Sequence, residues 1–248
     1  MINIVIPMAG LGSRFVKAGF KKPKPFIDVC GKPMIERVLE NLSVPNSKFI
    51  LIARAEHLEE YPDSVKRIKD KFNVDFFSVS SITQGTACTV LLARELINNS
   101  IPMVIANSDQ IIDISFKDFI EDAFDRELDG SILTFDDPSK DPKWSFAKIN
   151  ANGFVEQVKE KEPISSNATV GIYYFKQGDY FVDGAIDMIL NQDTVNDEYY
   201  TCPVYNYLIK KDLSIGIYNI KKEEMHGIGT PEDLALYSKK ISNEANTF

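Results

Sequence analysis

The residues best suited to chemistry come early: Ala9-Gly10-Leu11-Gly12-Ser13-Arg14, then Lys22-Pro23-Lys24-Pro25. Glycine lets a backbone approach an anion with no Cβ in the way, so such a loop can turn successive N–H groups toward a phosphate. Arg14 and Lys24 add the formal charge that amides lack, which suits a polyphosphate better than a neutral ligand. Lys24 is the expected electrostatic catalyst, because charge spreads over the equatorial oxygens of an attacked α-phosphorus and a fixed cation aimed there lowers the barrier. Lys22 is a second candidate for that role. Asp109 follows the apolar run Met103-Val104-Ile105-Ala106, which places it at the carboxyl end of a predicted strand, where open α/β sheets bind ligands. A carboxylate there can hold Mg²⁺ beside substrate phosphates; a loop acid or helix cap is the other reading.

Other nucleotide motifs do not fit. GxGxxG fails because Phe15 stands at the third glycine, and no acidic residue closes the second predicted strand, where Ala53-Arg54-Ala55 sits. No GKS or GKT follows the glycines, which excludes a Walker loop. Gln84-Gly85-Thr86-Ala87 could read a base edge through an amide and an exposed backbone, or simply join a strand to a helix. Glu160-Lys161, in Val158-Lys159-Glu160-Lys161-Glu162, could anchor a polar acceptor or form a solvated charged edge.

Alternating apolar runs and amphipathic stretches must position these groups. Strands are predicted at Asn3–Ile6, Lys48–Ala53, Val74–Val79, Met103–Ala106 and Ser131–Phe135, with helices from Pro33, over Glu56–Phe72 and over Ala87–Ile97. That rhythm is the βαβ signal for a mainly parallel sheet. Ser115 and Asp118 read as a capping pair for a helix ending near Arg126. Past residue 136 the rhythm changes: Phe146–Ile149 and Phe154–Val158 flank a turn at Asn152-Gly153, and Thr169–Phe175 is another strand. Helix Gly178–Leu190, strand Ile215–Ile220 and a helix opened by Thr230-Pro231-Glu232-Asp233 complete the pattern, with residues 242–248 expected to fray. The expected fold is α/β and Rossmann-like: a mixed, mainly parallel sheet flanked by helices, with an antiparallel C-terminal portion. One domain is expected over 1–248, with about 1–135 serving the nucleotide and about 136–248 the acceptor.

With 248 residues, 44% hydrophobic, the chain can bury a full core. A net charge of −8 argues against nucleic acid as a partner, so any basic site must be local. Cys30, Cys88 and Cys202 are widely spaced without a CxxC, which suggests buried reduced thiols. The chain has no apolar run long enough for a membrane span, and its start lacks a basic region and a cleavage site, so a cytoplasmic, membrane-free protein is expected. Monomer and homo-oligomer are both compatible with the composition.

Taken together, the glycine loop, Arg14 and Lys22-Pro23-Lys24-Pro25 resemble the nucleotidyltransferase family that makes NDP-sugars and related activated alcohols, whose fold is related to that of nucleotide-sugar glycosyltransferases. The resemblance implies base and nucleotide contacts from Gln84, Gly85, Thr86 and Ser108, beside the loop residues Ala9 to Arg14. It implies Mg²⁺ on Asp109, and acceptor contacts from Glu160, Lys161, Gly171, Glu198 and Thr201. Gly229-Thr230-Pro231 also falls where the family has it. One departure stands out: family members often carry an aspartate two residues before that Gly-Thr, as a second metal ligand, and here the place is Gly227. His226 adjoins it, but histidine is a poor Mg²⁺ ligand.

The resemblance implies that an NTP and a phosphorylated small-molecule acceptor yield an NDP-linked product and pyrophosphate. The ending Gly227-Ile228-Gly229-Thr230-Pro231 and the segment Glu198 to Asn206 resemble a subgroup associated with capsule and surface-polysaccharide pathways, and the opening Asn3 to Phe15 resembles a cytidylyltransferase of that kind, which favours CTP and makes L-glutamine phosphate an acceptor to try. A hexose-1-phosphate nucleotidyltransferase is the alternative. A glycosyltransferase would commonly show Asp-x-Asp, where this chain has Asn107-Ser108-Asp109-Gln110, and a non-catalytic nucleotide sensor would bind NTP without releasing pyrophosphate.

Overall fold

Ile4, Val5 and Ile6 are all fully buried, which only a strand covered on both faces achieves. A computed structural model describes residues 1–245. Its first half runs β1 (Ile2–Pro7), α1 (Ser13–Lys17), β2 (Asp28–Val29), β3 (Lys32–Pro33), α2 (Met34–Asn41), β4 (Ser47–Arg54), α3 (Ala55–Glu60), α4 (Pro62–Lys71), β5 (Val74–Val79), α5 (Thr86–Leu92), α6 (Arg94–Ile97) and β6 (Met103–Ala106). It continues with β7 (Gln110–Ile112), α7 (Phe116–Asp125), β8 (Gly130–Asp136), β9 (Ser145–Ile149), β10 (Val155–Glu160), β11 (Asn167–Phe175), α8 (Gly178–Leu190), α9 (Tyr205–Ile209), β12 (Ile215–Ile220), β13 (Met225–Gly227) and α10 (Pro231–Ala245).

The main sheet has the order β10-β9-β11-β6-β1-β4-β5, with β8 pairing β11 and β12 pairing β8. β5, β4, β1 and β6 are parallel, whereas β11 is antiparallel to β6, β8 and β9, and β12 runs parallel to β8. The fold is therefore mixed α/β with a mainly parallel first half and antiparallel pairing beyond it. Because strand side chains alternate, Ile4 and Ile6 join one core with α2 and α7, and Val5 joins the other with α5, α8 and α9. Tyr205 closes that second core by stacking flat on Phe175 at 4.7 Å and donating its hydroxyl proton toward Tyr174 O at 2.7 Å. Among the described residues no helix is long and apolar enough to cross a membrane.

Several expectations need correction. The single helix over Glu56–Phe72 is two helices, because Pro62 lacks an N–H and starts a new helix after Tyr61. The helix over Ala87–Ile97 breaks at Ala93, whose N–H turns to Val90 O, an i−3 bond that tightens the chain. Residues 242–245 belong to the last turn of α10, and residues 246–248 lie outside the described residues. Cys30 is exposed, not buried, since it sits at positive φ with Gly31 in the tight turn from β2 to β3.

Two details of the sheet shape the site. β11 changes partner at Gly171: Ala168 pairs with Phe146 of β9, while Ile172 pairs with Ala106 of β6. That splay opens the sheet just beyond the end of β6. The short β7–β13 pair, which the sequence pattern does not reveal, sets Gly227 opposite Gln110 and so brings the segment before α10 against Asp109.

Candidate active site

A cleft of about 540 Å³ opens at the carboxyl ends of β1 and β6. Residues 9–14 form one wall, with Arg14 exposed on α1. Gly12 has φ +59, and a Cβ there would come within 2.9 Å of Lys24 Cβ, so glycine lets the loop and the lysine share this space. The N–H groups of Gly10, Leu11 and Gly12 donate to no acceptor among the described residues, which leaves them available to an anion. Lys24 lines the cleft from a short turn, Lys24–Phe26; Lys22 does not. The Lys24 ammonium lies 2.6 Å from Asp109 Oδ2.

Ser108 and Asp109 emerge from β6 into the same cleft. Asp109 is held from behind: its carbonyl accepts from Ile228 N at 2.9 Å, and a Cβ on Gly229 would fall 2.1 Å from Oδ2. Gly227 supplies no side chain, and a Cβ there would have Asp233 Oδ2 at 3.8 Å and Gln110 Oε1 at 4.0 Å. His226 points elsewhere, 2.8 Å from Asp113 Oδ2 and 2.8 Å from Lys240 Nζ. No cluster of three or more His, Cys, Asp or Glu suited to a metal occurs among the described residues. One carboxylate with substrate phosphates and water is, however, a usual ligand set for Mg²⁺, and Asp109 fits that pattern.

The turn before α5 forms the opposite wall, where Gly85 and Thr86 line the cleft but Gln84 does not. Gln84 donates its side-chain Nε2 to Asp197 O at 2.9 Å. Around it, Tyr199 N donates to Gln84 O at 2.9 Å and Ala87 N to Tyr199 O at 3.0 Å. Gly85 has φ +108, and a Cβ would collide with the Tyr199 backbone at 2.4 Å. Glu198, in the same bracing segment, lines the cleft.

A second cavity of about 240 Å³ adjoins it where β11 splays from β6. Glu160, Gly171 and Thr201 line it; Lys161 lines neither space. Asn206 on α9 fixes β10 by bonding both backbone groups of Val158, its Oδ1 accepting and its Nδ2 donating at 2.9 Å each. Two residues on, Glu160 is buried and accepts from the Ser145 hydroxyl. Burial pushes its carboxyl above the usual range, and the Ser145 bond and the Lys161 charge oppose that rise in part. Burial likewise raises the Cys202 thiol and the Tyr173 hydroxyl on the cavity wall. Lys161, at φ +57, donates instead to the Tyr200 hydroxyl at 2.5 Å.

The sequence reading passes over Asn107, Gln110 and Lys143, all of which line the second cavity. Asn107 and Gln110 flank the Ser108-Asp109 pair at the strand end, a position that could have flagged both. Lys143 sits beside Trp144, its ammonium 4.9 Å from the ring centre, on the loop between β8 and β9. The buried Trp144 Nε1 has no partner among the described residues, and the ring meets Phe135 edge-on at 5.3 Å.

A profile of the family described as Nucleotidyl transferase matches residues 4–233. The mannose-1-phosphate guanylyltransferase catalytic subunit beta of Drosophila pseudoobscura pseudoobscura is 27% identical over 177 residues, covering 69% of this chain and 47% of the relative. A mannose-1-phosphate guanyltransferase of Yarrowia lipolytica is 29% identical over 177 residues, covering 68% and 48%. The match thus spans about half the length of these relatives. Among solved structures, the nucleoside-diphosphate-sugar pyrophosphorylase of Vibrio cholerae RC9 superposes with a TM-score of 0.81 at 27% identity, covering 95% of this chain and 99% of that one. A UDP-glucose pyrophosphorylase complexed with UDP-glucose shares the fold, with a TM-score of 0.78 at 18% identity over 98% of this chain and 100% of that one. This chain belongs to the nucleotidyl transferase family.

Proposed function

We propose that this chain transfers a nucleoside monophosphate from an NTP to a sugar 1-phosphate, releasing pyrophosphate. The observation that carries the reading is the adjacency of two unlike spaces: a cleft with a glycine loop, Arg14, Lys24 and Asp109, and a smaller cavity with a buried carboxylate and hydroxyls. The names of the guanylyltransferase and pyrophosphorylase relatives support the sugar phosphate as acceptor.

In this reading the loop N–H groups and Arg14 bind the β- and γ-phosphates, which leave as pyrophosphate. Gly85, Thr86 and the Gln84 backbone flank the base. Lys24 leaves Asp109 for the α-phosphoryl oxygens, where developing charge makes a fixed cation most effective. Mg²⁺, held by Asp109, would supply further charge neutralisation when bound. Glu160 and Thr201 orient acceptor hydroxyls, and Lys161 reaches the acceptor only after releasing Tyr200. A phosphate monoester is already ionised at neutral pH, so no general base is required.

The opening segment Asn3 to Phe15 supports a second acceptor reading within the same reaction class: CTP with L-glutamine phosphate, giving CDP-L-glutamine for a capsule or surface polysaccharide. Pyrophosphate release, measured with each NTP and Mg²⁺ against hexose 1-phosphates, L-glutamine phosphate, phosphocholine and glycerol phosphates, separates the two. Release dependent on a hexose 1-phosphate supports the first reading, and release with CTP and L-glutamine phosphate alone supports the second. NTP binding without release for any acceptor would replace both with a nucleotide sensor.

A further inference from the structure

We propose that Asn107 is a catalytic residue of this site, donating from Nδ2 to the phosphate of the acceptor as that group meets the nucleotide. The inference rests on the transfer reading above. Among the described residues only Thr86 and Asn107 line both spaces. The Thr86 hydroxyl oxygen accepts from Thr201 N at 3.2 Å and from Thr201 Oγ1 at 3.1 Å, which leaves Thr86 a single proton to donate. The Asn107 side chain, by contrast, has no hydrogen-bond partner among the described residues.

Its placement is tightly defined. Asn107 N donates to Gly171 O at 3.0 Å, and a Cβ on Gly171 would lie 2.1 Å from Asn107 Nδ2. The amide therefore occupies volume that glycine leaves open, at the point where β11 changes partner. Gly171 lines only the smaller cavity, while Ser108 and Asp109, next in sequence, line only the larger cleft. Asn107 thus faces the acceptor side of the junction. Among the described residues Lys143 is the only cation lining the smaller cavity; it is paired with Asp141 at 3.1 Å and does not line the larger cleft, whereas Asn107 lines both.

In the transfer, an oxygen of the acceptor phosphate forms a bond to the α-phosphorus. The bond from that phosphorus to the α,β-bridging oxygen breaks, and its electron pair leaves with pyrophosphate. The Asn107 protons stay on nitrogen throughout. Holding the attacking oxygen in line removes orientational freedom from the barrier, which is where positioning has its largest effect.

Asn107→Ala and the isosteric Asn107→Asp, assayed with the NTP and acceptor that the wild type uses best, test the assignment. Both are expected to lose about 10²-fold in kcat/KM for the acceptor. The thermal midpoint should hold, and the NTP dissociation constant, measured by calorimetry without acceptor, should stay within about twofold. Retention of wild-type kcat/KM by either folded variant would overturn the proposal. So would an equal loss of NTP affinity, since a merely structural Asn107 would disturb Ser108 and Asp109 as well. If Asn107→Ala does not fold, Asn107→Asp decides. A wild type that releases no pyrophosphate with any acceptor would remove the transfer reading and this inference together, whereas active variants of an active wild type remove Asn107 alone.

Discussion

Lys24 Nζ lies 2.6 Å from Asp109 Oδ2, joining across 85 residues the cation assigned to the α-phosphate and the carboxylate assigned to the metal. Both side chains are about one-fifth exposed, so each partly desolvated charge neutralises the other. Under the proposed reaction the substrate must compete with this pair, and an NTP carrying Mg²⁺ would do so best, since it would offer an anion to Lys24 and a cation to Asp109 at once.

Lys24→Ala and Asp109→Ala are each expected to lower kcat by about 10²–10³-fold or more while the far-UV spectrum is unchanged. The two should differ in metal binding without nucleotide. Lys24→Ala frees Asp109 and should bind Mn²⁺ more tightly than wild type in a paramagnetic titration, whereas Asp109→Ala should bind it more weakly. Wild-type turnover in either variant would remove that residue from its role.

Gly229→Ala should act at a distance of one side chain. The added Cβ would sit 2.1 Å from Asp109 Oδ2, the oxygen that Lys24 holds, and 3.0 Å from its Cγ, so the side chain must turn away from both while the backbone stays. An activity loss of about 10²-fold with a normal melting temperature is expected, because small misplacements of reacting groups cost that much. Gly19→Ala, which meets nothing within 4 Å but must hold φ +84, should show the reverse: normal turnover and reduced stability.

Gly227→Asp should fold, as a Cβ there finds its nearest neighbours at 3.8 and 4.0 Å. Its carboxylate would approach Asp233, a repulsion that a divalent cation relieves. Tighter Mg²⁺ binding by calorimetry and a stability gain on adding Mg²⁺ are the expected results. Unchanged Mg²⁺ affinity would show that this position does not reach the metal.

Asp137 is expected to contribute to acid stability. Its fully buried carboxylate accepts from the Ser139 hydroxyl at 2.6 Å and from Asp141 N at 2.9 Å, and Lys222 lies 3.2 Å away. The Ser139 bond leads these in holding its pKa down at about 2 against an ordinary 3.8. A depressed carboxylate stabilises the fold above its unfolded pKa, and that stabilisation is lost as pH falls through the folded value. Wild type should therefore lose on the order of 2 kcal/mol more than Asp137→Asn between about pH 4 and pH 2, by urea unfolding. Equal slopes would assign the acid limb to other carboxylates.

Much of the framework is legible locally. The buried run Ile4-Val5-Ile6 announces a strand, and the bounds of β5, α8 and β12 follow from apolar pattern alone. Asp109 is legible because an apolar strand must deliver whatever follows it to the sheet's edge. What escapes is fixed by partners far along the chain. Gln84 carries an amide suited to a base, yet Asp197 claims it from 113 residues away. Lys161 is drawn to Tyr200, 39 residues on. β7 and β13, three residues each, have no periodicity to read and exist because they pair with each other.

The bracing segment constrains how this protein can change. Tyr199 commits its N–H and carbonyl to the turn at residues 84–87, while Glu198 faces the larger cleft and Tyr200 and Thr201 the smaller. One stretch of chain therefore carries two inheritances. Adding or removing a residue there would shift the turn at residues 84–87 together with a wall of each space. Under the proposed reaction, nucleotide preference and acceptor preference would therefore be linked traits, and new acceptors would come through exchange of side chains at constant length.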